Sequence, residues 1–290
     1  MPAQAVPNSA GDQPPRLAAP ANTCDCHMHI YDAARFPPLR PAARMQAQAS
    51  VAEYRLLQRR LGTRRTVIVT PAVYETDNRV TLDAVVQLGD ARGVAVVKPD
   101  VGDAELKRLA DGGIRGTRFT QFDPATAVTT LDMIEPLAKR VNDLGWHVQT
   151  NMRADQIAAA ASLWERLPAT IVFDHMGRLP QPAGIDHPAF AIIRRLIDRG
   201  RAWVKLSGAY LDTKVGPSTY ADATAVARAF VAAAPERMVW GSDWPHPTEK
   251  DKPDDAVLLD LLAAWVPDAA TRHRVLVSNP ETLYGFAPSR

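Results

Sequence analysis

Eight short runs rich in β-branched and apolar residues recur along this chain, and each is followed by a stretch with helical spacing. The runs are Thr23–His29, Thr66–Pro71, Gly93–Lys98, Ile114–Phe119, Trp146–Thr150, Thr170–His175, Ala202–Ser207 and Met238–Asp243. Several are apolar without alternation, as in Val-Ile-Val at 67–69 and Val-Ala-Val-Val at 94–97. That pattern suits strands of a parallel sheet covered on both faces. Helices are expected at 51–61, 78–91, 103–111, 130–144, 154–166, 187–199, 219–234 and 254–265, with more helix at 269–284. In the fourth, Leu131, Ile134, Leu137, Ala138, Val141 and Leu144 form a one-sided stripe. Eight strand–helix units predict an α/β fold of the (β/α)8 TIM-barrel type, a single domain over 21–290. An open doubly wound sheet should carry a glycine-rich nucleotide turn, and neither G-x-G-x-x-G nor G-x-x-x-x-G-K-[ST] occurs.

Residues 1–20 hold five prolines and read as a flexible or surface-hugging arm, because proline is poorly compatible with helix and sheet. They lack the basic start and apolar core of a secretory signal. Lys plus Arg number 34 against 32 Asp plus Glu, a net charge of +2. So even a balance gives no electrostatic reason to expect nucleic acid or an anionic membrane as a partner. No apolar run is long enough to span a bilayer. The two cysteines, Cys24 and Cys26, are too close to form a disulfide framework, which suggests a reducing, cytoplasmic location. The oligomeric state is not legible.

In a barrel of this type the active site lies at the C-terminal ends of the strands. The polar residues expected there are His27 and His29, Thr70, Lys98, Arg118, Asn151, His175 with Arg178, Ser207, and Asp243 with His246. Strict alternation puts Thr23, Asp25, His27 and His29 on one face of the first strand and Cys24, Cys26 and Met28 on the other. If the polar face lines the barrel, the cysteines pack against helices. Three histidines and Asp243 could hold one divalent ion such as zinc. Equally, Asp243 could take a proton from water while the histidines polarise an electrophile.

His-x-His on the first strand, Asp-His-Met-Gly-Arg at 174–178 and Trp-Gly-Ser-Asp-Trp-Pro-His-Pro at 240–247 resemble the amidohydrolase superfamily. Within it they resemble the lactone-hydrolysing branch typified by 2-pyrone-4,6-dicarboxylate hydrolase. Ala-Asp-Gly-Gly-Ile-Arg-Gly-Thr-Arg-Phe at 110–119, Gly-Trp-His-Val at 145–148, Lys-Pro-Asp-Asp at 252–255 and Ser-Asn-Pro-Glu-Thr-Leu-Tyr at 278–284 extend the likeness over about residues 20–286. The resemblance implies a hydrolase that opens a lactone, with Asp243 as base and His27, His29 and His175 at the reacting carbonyl. Arg118 and Arg178 would bind substrate anion or carbonyl. By their places at or after strand ends, Tyr74, Asn151, Lys98 and His246 are expected as further substrate contacts. No cofactor is expected as first choice. A single zinc on His27, His29, His175 and Asp243 is the alternative, because the residues expected of a two-metal site are missing from strands four and five. Few arginines line the expected mouth, which points to a lactone with one carboxylate or a sugar-acid lactone. Lactone isomerisation and metal-dependent decarboxylation are the rival chemistries within the superfamily.

Overall fold

The computed structural model describes residues 5–40 and 48–289. Its eight-stranded sheet runs in chain order, and every neighbouring pair is parallel. The strands are β1 (Cys24–Met28), β2 (Arg65–Val69), β3 (Ala91–Ala95), β4 (Ile114–Thr120), β5 (His147–Asn151), β6 (Ile171–Phe173), β7 (Ala202–Leu206) and β8 (Met238–Trp240). Between them run α1 (Val51–Leu61), α2 (Arg79–Leu88), α3 (Asp103–Asp111), α4 (Ile134–Asn142), α5 (Ala154–Ala159) with α6 (Ala161–Arg166), α7 (Pro188–Asp198) and α8 (Ala221–Ala233), with α9 (Asp255–Trp265) after β8. This is the expected TIM barrel.

The local reasons are readable. Helix α1 opens on a capping box between Ser50 and Glu53 and ends on Gly62 in the left-handed region. Helix α4 buries Ile134, Leu137, Ala138 and Val141, the core of the stripe seen in the sequence. The stretch expected as one helix over 154–166 breaks at Ala160 into α5 and α6. A two-residue antiparallel ribbon, Tyr31–Asp32 with Gln48–Ala49, follows β1 and was not foreseen.

The barrel closes where the last strand meets the first. The Asp243 N–H donates to the His27 carbonyl at 2.7 Å, and the His29 N–H donates to the Trp244 carbonyl at 2.8 Å. Gly241 permits this approach, since a Cβ there would lie 2.7 Å from His27 Cβ and 2.8 Å from its backbone nitrogen. Gly241→Ala is therefore expected to cost about 2 kcal/mol, as overpacking a closed core does. Urea unfolding measures it, and a loss under about 0.5 kcal/mol would mean the seam has room to spare.

The Asp25 carboxylate stitches the same seam. It accepts from Ser242 Oγ at 2.6 Å, the Ser242 N–H at 2.9 Å, Tyr54 Oη at 3.0 Å and the His27 N–H at 3.2 Å. Tyr54 lies on α1, so Asp25 faces the helix layer and not the barrel lumen. Cys24 and Cys26 pack inside the barrel with Val67, Val69, Val94, Val172 and Val239, against Tyr284 and Phe286 of the C-terminal segment. Asp25, Cys24 and Cys26 were thus expected the wrong way round, whereas His27 and His29 face the lumen as expected. The cause is a bulge in β1: Asp25 pairs with Thr66 and Met28 with Ile68, leaving Cys26 and His27 together opposite Val67. One extra residue resets the alternation, which turns His27 inward although Asp25 points outward. Both cysteines are free thiols and buried.

Residues 1–4 of the expected arm lie outside the described residues. The rest of it contacts the outside of the barrel beside β8. Val6 is buried. The Trp244 indole donates to the Pro7 carbonyl at 2.8 Å, the Ala10 N–H to Pro253 at 3.0 Å, and the Leu17 N–H to Asp260 at 2.8 Å. Among the described residues no helix is long and apolar enough to cross a membrane.

Candidate active site

Strand ends bring His27, His29, His175 and Asp243 together. The bulge delivers His27 to the lumen, and His29 follows two residues later. Asp243 comes two residues after the Gly241 contact, with φ at +65°. Its backbone N–H bond to His27 locks this otherwise unfavourable conformation. After β6 the run His175–Arg178 is left-handed throughout, with φ between 49° and 70°. The turn swings the His175 ring back over the lumen.

Around Asp243 Oδ1 three imidazole nitrogens converge: His27 Nε2 at 3.5 Å, His29 Nε2 at 3.5 Å and His175 Nε2 at 3.9 Å. The other nitrogens are fixed from behind. His29 Nδ1 donates to the Val69 carbonyl at 2.7 Å, and its Nε2 lies 3.3 Å from His27 Nε2. His175 Nδ1 pairs with Ser207 Oγ at 2.9 Å. His27 Nδ1 rests on a lower tier, 3.2 Å from Lys205 Nζ and 3.2 Å from Asp174 Oδ1. Asp243 Oδ2 accepts from Tyr210 Oη at 2.6 Å.

The lower tier is a buried charge network. Asp174 Oδ2 accepts from Arg118 Nε at 2.9 Å and from Gln149 Nε2 at 3.1 Å, and Lys205 Nζ lies 3.7 Å from Oδ1. Burial opposes the Asp174 charge, but His27, Arg118 and Lys205 outweigh it and hold the carboxyl well below its usual range. Burial also works against Asp243, and the facing His175, His29 and His27 again outweigh it. Lys205 is pulled down to about 8 by its complete burial. Burial and the Lys205 charge push His27 well below its ordinary value, and burial brings His175 to about 4. Asp243 is therefore held ionised, while burial disfavours charge on His27 and His175.

A pH consequence follows. His27, His175 and His147, the last at about 3 through burial, resist protonation when folded, whereas the unfolded chain binds those protons below about 6.5. Their stability contribution is present above 6.5 and is lost as pH falls. Asp25, raised by burial to about 6, acts in the opposite sense and adds stability as pH drops through 6. Three groups outweigh one. The urea midpoint is expected to fall between pH 7 and pH 5, and a midpoint that rises over that interval would contradict the assignment.

Of the other sequence candidates, Arg118 reaches the site. Only its Nε is committed to Asp174, and its two terminal nitrogens make no hydrogen bond among the described residues. Arg178 stands at the rim, paired bidentate with Asp212 at 2.6 and 3.1 Å and stacked 4.2 Å from the Phe122 ring. Asn151 ends β5, and its buried Oδ1 has no hydrogen-bond partner among the described residues. Tyr74 is buried and its hydroxyl accepts from the Asp32 N–H at 3.0 Å, which ties down the ribbon after β1. Lys98 is half-buried past β3, and no ion pair links it to the histidines or to any carboxylate among the described residues. His246 was expected to touch substrate. Instead it is fully buried behind the base, with Nδ1 on Tyr210 and Nε2 on Asp255. Both nitrogens are spent on protein, which removes it from direct contact. Thr70 likewise bonds Asn78 and Thr81.

Asp174, Lys205 and Tyr31 were missed. Asp174 directly follows apolar β6 and Lys205 interrupts apolar β7, and a charge at each of these places was the available signal. Tyr31, next to His29 at 6.4 Å between ring centres, sits in the unforeseen ribbon. Burial and the charge on Asp243 raise its hydroxyl.

His27, His175 and Asp243 offer donor atoms within 4.8 Å of one another. Two imidazoles and a carboxylate suit one divalent ion. Ser207 behind His175 is the kind of partner that orients such a ligand. The compact set holds three of the four residues expected, without His29.

A protein-family model described as Amidohydrolase matches residues 24–286. The chain is 35% identical over 286 residues to a 2-pyrone-4,6-dicarboxylate hydrolase of Comamonas testosteroni, covering 95% of this chain and 94% of that one. It is 34% identical over 284 residues to a 4-sulfomuconolactone hydrolase of Rhizobium radiobacter, with coverage of 95% and 94%. It is 32% identical over 280 residues to a D-galactarolactone isomerase of Agrobacterium fabrum, with coverage of 94% of each chain.

Proposed function

Because this chain belongs to the amidohydrolase family, we propose that it is a lactone-opening hydrolase in which Asp243 activates the attacking water. The observation that carries the reading is the convergence of three imidazole Nε2 atoms on Asp243 Oδ1 at 3.5 to 3.9 Å, inside a buried site where the carboxylate stays ionised. A general base has to be unprotonated and within reach of a water, and this one faces the barrel mouth.

Asp243 takes one proton from water as the oxygen attacks the lactone carbonyl. Charge developing on that carbonyl oxygen is met by the histidine cluster. Collapse expels the ring oxygen, which leaves with the proton from Asp243, and the product is a carboxylic acid. At neutral pH that acid ionises, so each turnover releases one proton. The terminal nitrogens of Arg118, which make no hydrogen bond among the described residues, suit a carboxylate or carbonyl of the ring. Arg178 is already neutralised by Asp212, which fits a substrate with a single carboxylate or a sugar-acid lactone. His27, His175 and Asp243 are the residues that would hold one zinc ion, which when bound supplies Lewis-acid polarisation of the carbonyl.

The isomerase among the relatives favours one other reading, lactone isomerisation. A pH-indicator assay separates the two. Purified protein is offered pyrone carboxylates, muconolactones and aldonolactones, with added zinc or with chelator. Acid release from one class is expected. A lactone rearranged with no acid release would establish isomerisation instead, and carbon dioxide from a carboxylated substrate would establish decarboxylation.

A further inference from the structure

We propose that Tyr210, His246 and Asp255 form a hydrogen-bonded chain of positioning residues that aims the Asp243 carboxylate from behind. The proposal rests on Asp243 being the base. The chain is continuous: Asp255 Oδ2 lies 3.2 Å from His246 Nε2, His246 Nδ1 lies 2.9 Å from Tyr210 Oη, and Tyr210 Oη lies 2.6 Å from Asp243 Oδ2.

Proton counting gives it a direction. An ionised Asp243 can only accept, so the single Tyr210 hydroxyl proton goes to Oδ2. Tyr210 has then only lone pairs for His246, so Nδ1 carries hydrogen and donates. Nε2 faces the Asp255 carboxylate, which holds the ring from its far side. Asp255 opens α9, where a helix N-terminus favours negative charge. The Tyr210 hydroxyl and His246 Nδ1 donors therefore both point inward to Asp243, with Asp255 anchoring the far side of the imidazole. The chain is no exit route for a proton; each bond strengthens the next and fixes Oδ2, leaving Oδ1 toward the histidines.

The backbone supports the arrangement. His246 has φ +55°, held by its N–H bond to the Asp243 carbonyl at 2.8 Å. The Tyr210 and His246 rings meet edge to face at 5.2 Å. His246 lies on the buried side of the base, so its contribution to catalysis has to pass through Tyr210.

A double-mutant cycle tests this with the full chain and the lactone identified by acid release. Tyr210→Phe is expected to lower kcat about 10- to 100-fold with KM within threefold, because one charge-assisted bond to the base is lost. His246→Leu should lower kcat in the same sense, and the double variant should be no worse than Tyr210→Phe alone. His246→Asn, which keeps a nitrogen near the Nδ1 position, should recover most of the loss and carries the test if His246→Leu does not fold. Multiplicative losses in the double variant, or Tyr210→Phe with unchanged kcat, would overturn the chain. An Asp243→Asn variant of near wild-type activity would overturn the reading of the base itself, so the two failures are distinct.

Discussion

Asp243→Asn is expected to lower kcat by about 10³-fold while leaving the unfolding midpoint near that of wild type. The substitution is isosteric. An Asn side-chain oxygen can still accept from Tyr210 Oη, so the Asp243 turn and its bond to the His27 carbonyl should survive. What disappears is the proton acceptor, together with the negative charge that three imidazoles face. Acid release at saturating lactone measures the loss. Turnover within tenfold of wild type would remove Asp243 from the proton transfer and leave the histidine cluster as the sole candidate. Unfolding in urea, run alongside, separates a chemical loss from a folding one.

Asp25→Ala is expected to cost about 4 kcal/mol of stability, a large effect for a residue outside the chemistry. Four donors lose their acceptor at once: the Ser242 hydroxyl and N–H, the Tyr54 hydroxyl and the His27 N–H. All lie in the closed seam, where water cannot replace the carboxylate without opening β1 from β8. Three of the four belong to the segments that carry His27 and Asp243, so the histidine cluster should loosen along with the fold. Denaturant titration with kcat measured in parallel checks both. A cost under 1 kcal/mol would mean that solvent reaches the seam.

The architecture was legible because a parallel barrel demands apolar strands at every turn of the chain, and runs such as Val94–Val97 and Ile171–Phe173 satisfy that demand locally. The strand-end principle then placed His27, His29, His175 and Asp243 without any coordinates. It failed where geometry departs from regularity. The β1 bulge reversed the expected facing of Cys24, Cys26 and Asp25, and a bulge leaves no residue-type signature here, since neither Cys26 nor His27 is a glycine. His246 was misassigned because its distance from Asp243 along the chain said nothing about the left-handed turn that folds it behind the base. Lys205 was overlooked because it was read as part of an apolar run. A lysine in the middle of Ala202–Leu206, with lumen parity, could only be tolerated beside a carboxylate, and Asp174 is that carboxylate.

The contact between the N-terminal arm and Trp244 has a practical bearing on how the protein is trimmed for expression. The matched family region begins at residue 24, and cutting there would look harmless. It would delete the Pro7 carbonyl, stranding the buried Trp244 indole N–H one residue from the base. It would also delete Ser9, whose hydroxyl accepts from the Asp255 N–H at 3.3 Å. A shortened version could therefore be a poor guide to the catalytic rate of the full chain, even if its barrel were intact.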